Sequence, residues 1–136
     1  MTAVRVGATV GPLTATADSL IREYARRYSA HDAEGVTDLC LWPFLAIRRG
    51  VPIHLGDREA VRDHFAAMMD AYRGAVAATW APVEIDSREL GEHASFETVR
   101  WNALDADGKL LRDTVTTYHL LATAEGPRFL SYTNHF

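Results

Sequence analysis

The stretch "LDADGKL" at residues 104–110 constrains this chain more than any other. An Asp at the first turn position and Gly108 where a left-handed residue is wanted specify a three-residue hairpin loop with a glycine bulge, pairing Asp105 with Lys109. Both flanks are rich in β-branched and aromatic residues, so two long antiparallel strands, roughly 94–104 and 110–122, run back from the turn. Carried outward, this pairing sets Arg100 opposite Thr114, Thr98 opposite Thr116 and Phe96 opposite Tyr118 on one face. Glu97, Val99, Trp101, Asp113, Val115, Thr117 and His119 take the other face. A slip of one residue exchanges the two sets, so every site assignment here inherits the turn.

The rest of the chain supplies helices before this sheet. Residues 1–13, with two glycines and a proline, read as a flexible arm, and 14–136 as one domain. From about Thr16, the positions Leu20, Ile21, Tyr24, Ala25 and Tyr28 share one face of a helix ending near Ala30, with Arg22, Arg26 and Arg27 opposite. Asp32 caps a second, short helical stretch with Val36, Leu39 and Cys40 on its apolar side. "LWPFLAIRRGVPIHLG" reads as a strand interrupted by Pro43, a turn at Gly50 and a brief second strand. Asp57 then caps a third helix whose Val61, Phe65, Met68, Met69 and Tyr72 fall together, while His64 lies among its polar positions. Further strands are expected near 76–90 and 128–136, giving an α+β domain.

A net charge of −4, a pI near 5.8 and no basic run longer than Arg26-Arg27 or Arg48-Arg49 exclude a nucleic-acid or anionic-membrane partner. The single cysteine, Cys40, has no partner for an internal disulfide and reads as a small buried filler. The opening residues carry no apolar core of the kind secretion needs, so a cytoplasmic location is expected. No histidines stand at metal-ligand spacing, and no nucleophile motif or phosphate-binding glycine loop is present, so neither a metal nor a cofactor is expected.

The order helix, helix, strand, helix and long antiparallel meander resembles the nuclear transport factor 2-like superfamily, which includes SnoaL-like cyclases, ketosteroid isomerases and limonene epoxide hydrolases. "YARRYSAHDAEGVTDLC", "HLGDREAVRDHF" and "RFLSYTNHF" carry the resemblance over about residues 16–136. It implies a cone: a curved, antiparallel (mixed) sheet wrapped around three N-terminal helices, with an apolar pocket and frequent dimers. Against the isomerases, Tyr24 or Tyr28 matches the oxyanion donor, but the base position falls near Ile47 and the supporting acid at Tyr118. Against the epoxide hydrolases, "RWN" at Arg100–Asn102 and Asn134 keep the frame with amides in place of acids, and the water-positioning residues fall at Ala46 and Arg48.

The candidate catalytic residues are therefore Tyr24, Tyr28 and Arg100, the last as an oxyanion anchor. The expected ligand contacts are Trp42, His54, Met69, Thr98, Asn102, Thr116, Tyr118, Tyr132 and Asn134. In the closing strand, Tyr132 and Asn134 should point into the cone and Thr133 and His135 away from it. Three readings stay open. One is a cofactor-free acid–base enzyme (cyclase, dehydratase or isomerase) acting on a hydrophobic oxygenated metabolite. The second is a non-catalytic small-molecule binder, and the third a dimeric interaction domain with an occluded pocket. A buried carboxylate or histidine with a shifted pKa inside the cone favours chemistry, whereas only amides, hydroxyls and arginine favour binding.

Overall fold

The computed structural model describes residues 13–73 and 78–135, with side chains from 16 to 71 and from 78 onward. The arm over 1–12, the Tyr72 side chain, the strand start at 76 and Phe136 lie outside the described residues. Helix α1 (Leu13–Ser29) begins before Thr16 and buries Leu20, Ile21, Tyr24 and Ala25. Its outer face carries Asp18–Arg22 and Glu23–Arg27 pairs one turn apart, and Arg26 and Arg27 complement the negative end of the helix dipole. Helix α2 (Ala33–Thr37) is capped by Asp32, whose Oδ1 accepts from Gly35 N at 2.9 Å. A side chain at Gly35 would meet Asp32 Oδ2 at 2.2 Å, so the cap itself requires glycine there.

Leu39 and Cys40 are not helical: Cys40 opens strand β1 (Cys40–Arg48), buried at 4% exposure. Strand β2 (Val51–Leu55) follows the Gly50 turn, and helix α3 (Arg58–Arg73) starts at Asp57, whose Oδ1 accepts from Ala60 N. Arg58 donates to Glu34 and Asp38, tying α3 to α2. Strands β3 (Thr79–Leu90), β4 (Ala94–Leu104), β5 (Leu110–Thr123) and β6 (Gly126–Asn134) complete one six-stranded sheet, ordered β2-β1-β6-β5-β4-β3. Among the described residues only β1 and β6 pair in parallel, which makes the sheet mixed. The helices lie on one face and close a core around Ile21, Phe44, Val61, Phe65, Leu120 and Phe129. Each such side chain taken fully out of water contributes about 1.5–3 kcal/mol.

The turn forms as its residues dictate: Asp105 N donates to Lys109 O and Gly108 has φ +82°. Leu104 then pairs with Leu110, but Ala103 pairs with Arg112, so Leu111 is an extra residue on β5, a β-bulge. Beyond it Arg100 faces Val115, Thr98 faces Thr117 and Phe96 faces His119, correcting the expected pairs by one. On β5 the inward set remains Thr114, Thr116 and Tyr118; on β4 it becomes Glu97, Val99 and Trp101. The physical reason is core demand. Val99 (0% exposed) and Trp101 (4%) gain the burial that Thr98, Arg100 and Asn102 would waste.

Candidate functional site

Between α1, α3 and the inner face of the sheet lies a cavity of about 70 Å³, lined mainly by aromatic residues. Helical spacing brings Tyr24 and Tyr28 to it from α1, and alternation brings Thr116 and Tyr118 from β5 and Tyr132 and Asn134 from β6. The sequence assigns all six to the site. Tyr24 packs against Tyr28, Trp101, Tyr118 and Phe129 at ring-centroid distances of 5.6, 5.9, 5.7 and 5.0 Å. Trp101 Nε1 donates to Tyr118 Oη at 3.1 Å, and the Tyr24 hydroxyl interacts with that of Tyr118. Burial above all holds both phenols above their ordinary pKa, so they stay neutral. Thr116 Oγ1 donates to Asn134 Oδ1 at 2.9 Å.

The remaining candidates fall elsewhere. Arg100 is on the outer face, half exposed, with Nε and Nη2 donating to Asp113 at 2.9 and 2.6 Å. That pair keeps Asp113 below the usual carboxylate range. Thr98 shares a 2.8 Å hydroxyl–hydroxyl hydrogen bond with Thr117 on the same outer face, and Asn102 stands opposite Asp113. Trp42 is 44% exposed, and neither it nor His54, which is exposed opposite Leu45 on the β2 edge, lines the cavity. Met69 is buried in the core, and its neighbour Met68 lines the cavity instead. An oxyanion anchor at Arg100 is thus excluded by the bulge that turns its strand over.

Two polar residues near the cavity were missed. Arg48 lines it from the end of β1, on the parity of Ala46, which pairs with Tyr132. His64 of α3 stands behind Tyr132, with Nε2 at 2.6 Å from Tyr132 Oη. Burial first, and then the charge of Arg48, pull the imidazole down to about 4, so it is neutral near pH 7. In the tautomer protonated on Nδ1, Nε2 accepts the Tyr132 hydrogen. The sequence held one clue: His64 is three residues past Val61 and four before Met68, at the edge of the apolar stripe. Among the described residues no carboxylate lines the cavity.

Residues 15–135 match the model of a family described as NTF2-like protein (DUF6841). A solved domain of unknown function with a cystatin-like fold from Nostoc punctiforme superposes with a TM-score of 0.72 at 15% identity, over 93% of this chain and 78% of that one. A candidate dehydratase of the NTF2-like family from Streptomyces avermitilis gives 0.68 at 18% identity, over 88% and 91%. A candidate aromatic ring hydroxylase from Novosphingobium aromaticivorans gives 0.71 at 12%, over 93% and 92%. No curated protein sequence matches the chain. At these identities the likeness establishes the cystatin-like fold and leaves the chemistry to the residues.

Proposed function

The chain belongs to the NTF2-like family DUF6841, and on that footing we propose that its cavity binds a small, hydrophobic, oxygenated metabolite and moves a proton on it without a cofactor. The Tyr132 Oη–His64 Nε2 hydrogen bond of 2.6 Å in the cavity wall carries this reading. A phenol held by a neutral imidazole accepts a proton at its oxygen while passing its own to nitrogen, the relay an isomerase, cyclase or dehydratase requires. The Arg48 guanidinium, the Tyr28 hydroxyl and the Tyr118 hydroxyl put donor groups in the lining, which suits a ligand carbonyl or carboxylate oxygen. With about 70 Å³ free, a ligand of more than a few heavy atoms must displace the half-buried Met68 and Trp80 side chains.

A non-catalytic binder is the second reading, favoured by the absence of a lining carboxylate among the described residues and by an imidazole too acidic for an efficient base at pH 7. The test is a thermal-shift screen of flat carbonyl and carboxylate compounds, followed by product analysis with the wild type, Tyr132→Phe and His64→Gln. Turnover in the wild type that both variants lose, with binding retained, supports catalysis. Binding without turnover in every form supports the second reading, and no binding by any compound sinks both.

We further propose a homodimer through the outer sheet face, supported by Phe96, 40% exposed on a face that no helix among the described residues covers. A sedimentation profile of monomer alone at about 100 µM would overturn it. Among the described residues no helix is long and apolar enough to cross a membrane.

A further inference from the structure

Among the described residues four buried side-chain polar atoms lack a hydrogen-bond partner, and three of them lie along one line of the chain: His93 Nδ1, Ser95 Oγ and Glu97 Oε1. Ser95 and Glu97 alternate with exposed Phe96 and share the inner face of β4, and His93 stands in the turn just before the strand. They descend from the surface inward. His93, next to exposed Glu92, keeps 31% of its side chain in solvent, whereas Ser95 and Glu97 are fully buried. Glu97 Oε2 accepts from Ser87 Oγ on β3 at 2.8 Å, leaving the other oxygen unsatisfied. The Ser95 hydroxyl stands close enough to favour the ionised carboxyl, yet makes no direct hydrogen bond to it. None of the three lines the aromatic cavity.

We propose that Ser95 and Glu97 of β4, with His93 in the turn before it, hold a short chain of internal water that connects the Glu97 carboxyl to solvent and lets it exchange protons without unfolding. Interiors satisfy stranded polar groups with water that makes about three hydrogen bonds, and a line of donors and acceptors spaced every second residue suits a chain better than one site. Side chains alone do not complete the line, because His93 Nδ1, Ser95 Oγ and Glu97 Oε1 each keep no side-chain partner. Water also suits the local charge: the groups acting on Glu97 are Asp86 of β3 and Asp18 of α1, both acidic, with Tyr118 of β5 directly opposite. Burial and those two carboxylates raise its pKa. The folded state therefore keeps the proton that the unfolded chain releases, and stability is lost as pH rises from about 4.5 through the folded pKa. A dry ladder would hold the same carboxyl but release its proton only through global opening.

The test is a crystal structure of the full chain at about 1.5 Å, together with carbon-13 NMR titration of the glutamate carboxyls. We expect ordered water bridging Glu97 Oε1 and Ser95 Oγ and reaching His93 Nδ1, with one carboxyl titrating reversibly above the others in the folded protein. Glu97→Gln should gain stability relative to wild type as pH rises from about 4.5, and Ser95→Ala should raise the Glu97 midpoint. A dry, repacked ladder, a bound cation in place of water, or a Glu97 resonance that moves only on unfolding would each overturn the proposal. If Glu97→Gln fails to fold, the wild-type titration and density still decide.

Discussion

The two faces of the β4–β5 hairpin differ in almost every property. Inward, Val99, Trp101, Thr116 and Tyr118 are buried, and the last three build the cavity wall. Outward, Thr98 bonds Thr117 and Arg100 pairs with Asp113 under solvent, with Asn102 beside them opposite Asp113. Both sets come from the same alternation, and one extra residue at Leu111 decides which half of β4 faces the helices. Function in such a sheet therefore depends on a bulge as much as on the residues that line the site.

Deleting Leu111 should break the comparison most severely. Without the bulge, β4 must turn Arg100 inward and Trp101 outward, and we expect no cooperative unfolding transition by circular dichroism at 25 °C. A variant that melts like the wild type would refute the bulge. Next in size, Trp101→Ala should cost about 3–5 kcal/mol in urea unfolding, since it leaves a large void and strips a donor from Tyr118.

His64 gives a smaller effect that depends on pH. Its folded pKa, lowered from 6.5 to about 4, means that the native state resists the proton the unfolded chain accepts. The contribution is complete above about pH 6.5 and disappears as pH falls toward 4. Allowing for partial exposure it is on the order of 2 kcal/mol. His64→Gln should flatten that acid limb in melts between pH 4 and 7; an unchanged limb would mean that another group produces it. Smallest of all, Arg100→Leu should move the melting midpoint by about 1 °C or less, because its ion pair is screened by water, and should leave ligand titrations unchanged. Loss of binding in that variant would return Arg100 to the pocket.

The patterns that depend on near neighbours were legible in the sequence. The apolar stripe of α1 brought Tyr24 and Tyr28 to the cavity, Asp32 and Asp57 announced their helices, and alternation in "SYTNHF" correctly pointed Tyr132 and Asn134 inward. The Asp105–Lys109 turn also formed as its residues require. What lay across the sheet was not legible. Leu110 and Leu111 are both exposed leucines, and nothing in their order says that one stands outside the ladder. Arg48 and His64 sit far apart in sequence, on elements whose local pattern makes them ordinary polar positions, and only the packing of α3 over β1 and β6 brings them to the Tyr132 side of the cavity.

The sequence by itself thus determined the elements, their caps and the inward parity of α1, β5 and β6, because those follow from backbone geometry and burial within a few residues. The tertiary structure alone decided the facing of β4, which follows from the core's preference for Val99 and Trp101 over Arg100. It also decided the meeting of His64 with Tyr132 and the burial of Glu97, since each depends on surfaces that exist only after the sheet and helices have closed.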